Sequence, residues 1–196
     1  MKPLRLVISG GMGSGKSTVG WMLADRDFAV LDADKVGHWV LSGDNPVAVQ
    51  VTERWPEVAV RGVVDRKLLG DIVFDDPAQL AELEALTHPA IKERIIRWAQ
   101  QVGGRSAAVE IPVPANLVDE QGWIKVVVDA PLDVRKTRLR ERGMSEENID
   151  KRLASQPSPT EWREAADYVI TNSGNRKSLG ESLDNTLAQI RADLEA

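Results

Sequence analysis

The sequence contains no cysteine, which excludes disulfides, thiolate chemistry and a cysteine-ligated zinc site. It has only two histidines, His38 and His88. No stretch approaches the ~18–20 apolar residues that a membrane span needs. Positive charge is in deficit: 25 Lys and Arg stand against 30 Asp and Glu, a formal net charge of −5. That balance argues against a broad nucleic-acid or anionic-membrane footprint, while leaving room for a local basic pocket that takes phosphates. The short apolar run near the N-terminus breaks at Gly10-Gly11, so it fails as a signal peptide. The expectation is a cytoplasmic protein with a small-molecule partner, no nucleic acid and no membrane.

Hydrophobic residues make up 42% of the 196 positions, enough for the core of one domain carrying a helical insertion. Leu4–Ile8 reads as a buried strand ended by glycines, Ser17–Asp25 as a helix and Phe28–Leu31 as a second strand. Strand, helix and strand within about thirty residues form a βαβ unit, which predicts a parallel sheet. From Ala33 to Val102 helical periodicity dominates, broken near Gly43, Pro56, Gly62 and Pro77. Strands return at Ser106–Glu110, Ile124–Asp129 and Tyr168–Thr171, with charged helices over Leu132–Arg142 and Glu146–Ser155. Leu179, Leu183, Leu187, Ile190 and Leu194 mark a closing amphipathic helix. The predicted fold is α/β: a P-loop NTPase core with a five-stranded parallel sheet, a helical substrate-binding insertion and a helical lid.

The core prediction rests on Gly10-Gly11-Met12-Gly13-Ser14-Gly15-Lys16-Ser17, a G-x-x-x-x-G-K-[ST] motif between a predicted strand and a predicted helix. Its glycines let the backbone curl with N–H groups inward, and the helix N-terminus favours an anion. Gly11, Met12, Gly13, Ser14, Gly15 and Lys16 are therefore expected to cradle the phosphates of ATP. Lys16 reaches the β- and γ-phosphates, Ser17 ligates Mg²⁺, and Thr18 touches the α-phosphate.

Asp32-Ala33-Asp34 follows the second strand. Parallel strands open on one edge, where ligands bind. Two carboxylates there can hold a metal-bound water and accept a proton from an attacking hydroxyl. The alternative is that one of them caps the following helix. Glu110 ends the third strand on the same edge, as a carboxylate that binds Mg²⁺ through water or as an ordinary surface residue. Arg135, Lys136, Arg138, Arg140 and Arg142 form a dense basic stretch. It reads either as a solvated helix face or as a lid bringing arginines to the transferring phosphoryl group. Arg138 and Arg142 are the candidates from that face. His88 precedes Pro89, which points to a structural residue at a helix start. Of the six tryptophans, most are expected to be packing anchors, with Trp39 and Trp55 placed to line an acceptor site.

These segments resemble the dephospho-coenzyme A kinase family. The resemblance lies in Gly10–Thr18, Asp32-Ala33-Asp34, Val64-Asp65-Arg66, His88-Pro89, Arg138, Arg142 and Arg152, and Gln156 through Asn172. It runs from about residue 5 to 175 in order. It implies ATP-dependent phosphorylation of the ribose 3′-hydroxyl of dephospho-coenzyme A, the last step of coenzyme A synthesis. It also implies Asp34 as general base. Asp32 is expected as a metal residue beside Ser17, and His88, Arg66 and Glu110 on the substrate side. Residues 35–103 would form the acceptor domain, 133–156 the lid, and 1–34, 104–132 and 157–196 the nucleotide-binding core. Two departures stand out: Pro112-Val113-Pro114-Ala115-Asn116 where the family usually reads Pro-Leu-Leu-Phe-Glu, and Trp162 where a lysine is common. The competing readings are a P-loop kinase for another small hydroxyl acceptor, and a nucleotide-binding regulatory protein without transfer activity.

Overall fold

The apolar run at the N-terminus forms strand β1 (Arg5–Ser9), the centre of a five-stranded parallel sheet. Its companions are β2 (Ala29–Asp32), β5 (Ala107–Glu110), β6 (Ile124–Asp129) and β7 (Tyr168–Thr171), in the order β2-β5-β1-β6-β7. Arg5 lies opposite Ala107 on one side of β1, and Leu6 opposite Ile124 on the other. The computed structural model describes residues 2–112 and 122–196. Within it the chain divides into one unit of Met1–Leu31 with Val102–Ala196 and a second of Asp32–Gln101. The stretch 133–156, expected as a lid, falls within the first unit. Among the described residues no helix is long and apolar enough to cross a membrane.

In the first unit, alternation along each strand sends Leu6 and Ile8 to one face of the sheet. There they pack with Val126, Val128 and Ile170 against α1 (Lys16–Ala24) and α9 (Arg176–Glu195). Val19, Met22 and Leu23 come from α1, and Leu179, Leu183, Leu187 and Ile190 from α9. Each fully buried aliphatic side chain here stabilises the fold by roughly 1.5–3 kcal/mol. The stripe on α9 stops at Ile190, because Leu194 stands half exposed near the helix end.

The second unit begins with α2 (Ala33–Val40) and α3 (Pro46–Arg54), and ends with α4 (Arg66–Val73) and α5 (Pro77–Gln101). Asn45, Asp65 and Asp76 side chains accept from the first amides of α3, α4 and α5, the polar side-chain capping that starts helices. Trp55, Val58, Val64, Leu69 and Val73 make its core. Trp55 is fully buried, with its Nε1 donating to Gln79 Oε1 at 2.8 Å, so it is a packing anchor and not a residue lining a site.

Two expectations are corrected here. The break at Gly62 is a small antiparallel hairpin of β3 (Ala59–Val60) and β4 (Val63–Val64), not a pause between helices. Its two turn residues, Arg61 and Gly62, both take positive φ, as a tight two-residue hairpin turn demands. The second correction concerns His88, which sits mid-helix and not at a helix start, because α5 runs through Pro89 without interruption. Proline at that place forfeits one helical hydrogen bond. Packing holds the helix through it, with Thr87, Ile91 and Ile95 all buried.

Candidate active site

In the first unit, residues 10–15 carry the chain from the end of β1 into α1. Gly15 caps α1 at φ 103 and offers no side chain to its first amides. Those N–H groups lack intrahelical acceptors, so with the helix dipole they form an anion site. Lys16 Nζ folds over the start of the loop, donating to the Gly10 carbonyl at 2.7 Å and to Gly11 at 3.4 Å. Ser17 and Thr18 follow in the first helical turn. Ser14 Oγ is buried in the loop with no hydrogen-bond partner among the described residues.

The loop is held through its own carbonyls. Asn172, just past β7, donates from Nδ2 to the Ser14 carbonyl at 2.7 Å. Its Oδ1 accepts from Arg138 at 3.1 Å. Arg138 belongs to α6 (Leu132–Glu141) and also donates to the carbonyls of Gly13 and Ser14, both at 3.3 Å. Burial, followed by the like charge of Arg142, pushes the Arg138 guanidinium below its ordinary pKa. Arg142 itself caps the C-terminus of α6 and is exposed. Two further residues reach the loop: Arg135 of α6 and Gln156 both bond Met12. Arg135 lies on the same predicted helix face as Arg138 and Arg142, but periodicity alone does not tell which arginine of a face is buried.

Glu110 closes β5 half-buried, with Oε1 where a Cβ on Gly20 of α1 would stand. Any larger residue at position 20 would displace that carboxylate from the flank of the helix. On the far side of the sheet's centre, Arg163 of α8 (Pro159–Glu164) pairs with Asp129 at 2.6 Å. Beside it Trp162 is buried, so its indole serves packing. Of the unusual stretch at 112–116, Val113, Pro114, Ala115 and Asn116 lie outside the described residues.

In the second unit the helix cap is settled. Asp32 Oδ1 accepts from the Asp34 amide at 3.0 Å, and Asp34 lies in the first turn of α2. Lys35 approaches Asp32 at 3.7 Å. A cavity of about 410 Å³ opens between α2, the hairpin and α4, lined by His38, Trp39, Ser42, Val63 and Arg66 among others. The Arg94 guanidinium stacks 4.0 Å from the centre of the Trp39 ring, a cation–π contact that steadies the indole. His88, half-buried on α5, does not line this cavity. His38, expected from the sequence as acceptor-domain packing or surface, is exposed at this cavity; Arg94 stands in no recognisable sequence spacing.

A parallel sheet ordered in this way, with a G-x-x-x-x-G-K-S loop between its central strand and first helix, defines a P-loop nucleotide-binding fold. The family model for dephospho-CoA kinase matches residues 4–178, and the chain belongs to that family. The dephospho-CoA kinase of Deinococcus radiodurans is 39% identical over 193 residues, covering 96% of this chain and 93% of that one. The crystal structure of TT1252 from Thermus thermophilus superposes with a TM-score of 0.83 at 30% identity, covering 96% of this chain and 98% of the other. Dephospho-CoA kinase from Campylobacter jejuni shares the fold at a TM-score of 0.70 and 24% identity, with 95% and 96% covered.

Proposed function

We propose that this chain transfers the γ-phosphoryl group of ATP to the ribose 3′-hydroxyl of dephospho-coenzyme A, giving coenzyme A and ADP. The observation that carries the reading is the phosphate loop, with an uncapped helix start, inside a family match that spans nearly the whole chain. Transfer of this kind asks the protein for positioning and charge more than covalent chemistry. The loop amides and Lys16 hold the β- and γ-phosphates of the nucleotide. Asp34 takes the proton of the acceptor hydroxyl as it attacks the γ-phosphorus and the bond to the β-phosphate oxygen breaks. Arg138 and Arg142 offset the charge that spreads over the phosphoryl oxygens.

Mg²⁺ fits the donor set. Among the described residues no cluster of three His, Cys, Asp or Glu could cage a metal. Such a cage is not what Mg²⁺ uses beside a nucleotide, where one or two protein oxygens join the phosphates. Ser17 would supply one such oxygen and Asp32 would act through a water; the ion would neutralise phosphate charge. Arg66, in the cavity of the second unit, gives the acceptor's phosphates a cation.

The deciding experiment is coupled ADP release by the purified protein with ATP and Mg²⁺, supplied in turn with dephospho-coenzyme A, shikimate, gluconate and a nucleoside. Turnover dependent on dephospho-coenzyme A supports the reading. Faster turnover with another acceptor reassigns the substrate, and no turnover with any of them leaves a nucleotide-binding protein without transfer activity.

A further inference from the structure

Arg135 is only 4% exposed, although it lies on a helix whose other arginines reach the surface. Its Nε donates to the Met12 carbonyl at 2.8 Å, and its Nη2 donates to Gln156 Oε1 at 3.2 Å. The same Gln156 oxygen accepts from the Met12 amide at 2.8 Å. Both backbone polar groups of Met12 are thus engaged by side chains that come from beyond the loop. Gly11 has no room for a Cβ, because the Arg135 guanidinium occupies that place. At Gly13 a Cβ would meet the Arg135 carbonyl at 2.8 Å.

The partners of this guanidinium are neutral amide oxygens. Burial pushes its pKa down, and only the more distant charge of Asp129 acts against that. A cation buried on neutral acceptors is held at a cost in desolvation. An anion bound by the loop relieves that cost.

We propose that Arg135 is a positioning residue for nucleotide binding: it fixes the Met12 peptide through Gln156 and sets a permanent positive charge against the phosphate loop. It touches neither the nucleotide nor the acceptor, and it raises affinity for phosphates through the field it adds to the loop amides. The inference rests on the reading that ATP occupies this loop. A unit charge several ångströms from a phosphate, in surroundings of effective dielectric about 20, alters affinity by on the order of tenfold.

The test is calorimetric titration of ATP and of adenosine into the wild type, Arg135→Gln, Arg135→Lys, Gln156→Glu and Lys16→Ala, at low and high salt. Arg135→Gln keeps a donor and loses the charge; Gln156→Glu keeps the acceptor and neutralises the cation beside it. Both should weaken ATP roughly tenfold at low salt, leave adenosine unchanged and flatten the salt dependence. Arg135→Lys should recover most of the ATP affinity. The proposal is overturned if Arg135→Gln and Gln156→Glu bind ATP as the wild type does, or if adenosine weakens in parallel, which a merely structural role would produce. If Arg135→Gln does not fold, Gln156→Glu and Arg135→Lys decide alone. Equal ATP binding by the wild type and Lys16→Ala removes the loop as the nucleotide site altogether, an outcome distinct from failure of the Arg135 role.

Discussion

Asn172 and Ser14, 158 positions apart in the chain, are joined at 2.7 Å by a buried hydrogen bond from the Asn172 amide to the Ser14 carbonyl. The bond fastens the end of the last strand to the middle of the phosphate loop. Removing one partner of a buried hydrogen bond leaves the other unsatisfied and destabilises by about 1–3 kcal/mol. Asn172→Ala should lose stability of that order in urea denaturation and raise the KM for ATP. Unchanged stability together with unchanged KM would mean the loop needs no tie at this point.

Lys16→Ala should abolish transfer and weaken ATP binding while far-UV circular dichroism stays native. Lys16 brings mobile positive charge to a cradle otherwise made of backbone amides, and its hydrogen bonds to Gly10 and Gly11 are not needed by the core.

Asp34→Asn keeps shape and removes the base, so kcat should fall by ~10²–10⁴-fold with little change in ATP affinity. Asp32 needs two substitutions. Asp32→Asn preserves a good helix cap and should raise the Mg²⁺ requirement with stability unaltered. Asp32→Ala removes the cap on α2 as well, with a loss of about 1 kcal/mol. A Mg²⁺ titration of kcat and thermal denaturation separate the two roles.

Hydrogen exchange across 133–156, measured with and without a non-hydrolysable ATP analogue and acceptor, should show protection gained on binding. The gain should be largest in α7 (Glu146–Ala154) and the turn before it, because Arg135 and Leu139 already bury α6 in the absence of ligand. Equal protection in both states would rule out a closing lid.

Tyr168 gives a pH prediction remote from the site. Its hydroxyl donates to Asp193 at 2.6 Å, and that bond pushes the phenol up from 10.0 to about 12. A raised pKa in the folded state means the contribution is complete below the unfolded value and is lost as pH rises through the folded one. Stability should therefore decline between pH 10 and about 12, and Tyr168→Phe should flatten that decline in denaturation series across the range.

Most strands of the sheet were legible because they are short apolar runs closed by glycine, proline or a charge, and β6 and β7 agree residue for residue with Ile124–Asp129 and Tyr168–Thr171. The loop was legible because its chemistry depends on residue types at fixed spacing. Burial of one arginine among several was not, since Arg135 and Arg138 look alike in sequence and differ in what lies behind them. Neither was the passage of α5 through Pro89, where tertiary packing outweighs a local preference. Asp32 and Asp34 were both plausible caps; only the backbone shows that Asp32 stops in an extended conformation and accepts from Asp34.

The parallel register of β1 bears on how the chain acquires its shape. Leu4 bonds to Ser106, 102 positions later, and β1 finds both its neighbours only in β5 and β6. Contacts so distant in sequence fold slowly, because a long loop closes before any pairing rewards it. As the polypeptide leaves the ribosome, Leu6, Val7 and Ile8 therefore wait unpaired while the whole second unit is synthesised. For that interval the nascent chain carries a bare apolar strand, the kind of segment that chaperones shield and that misassembles at high expression.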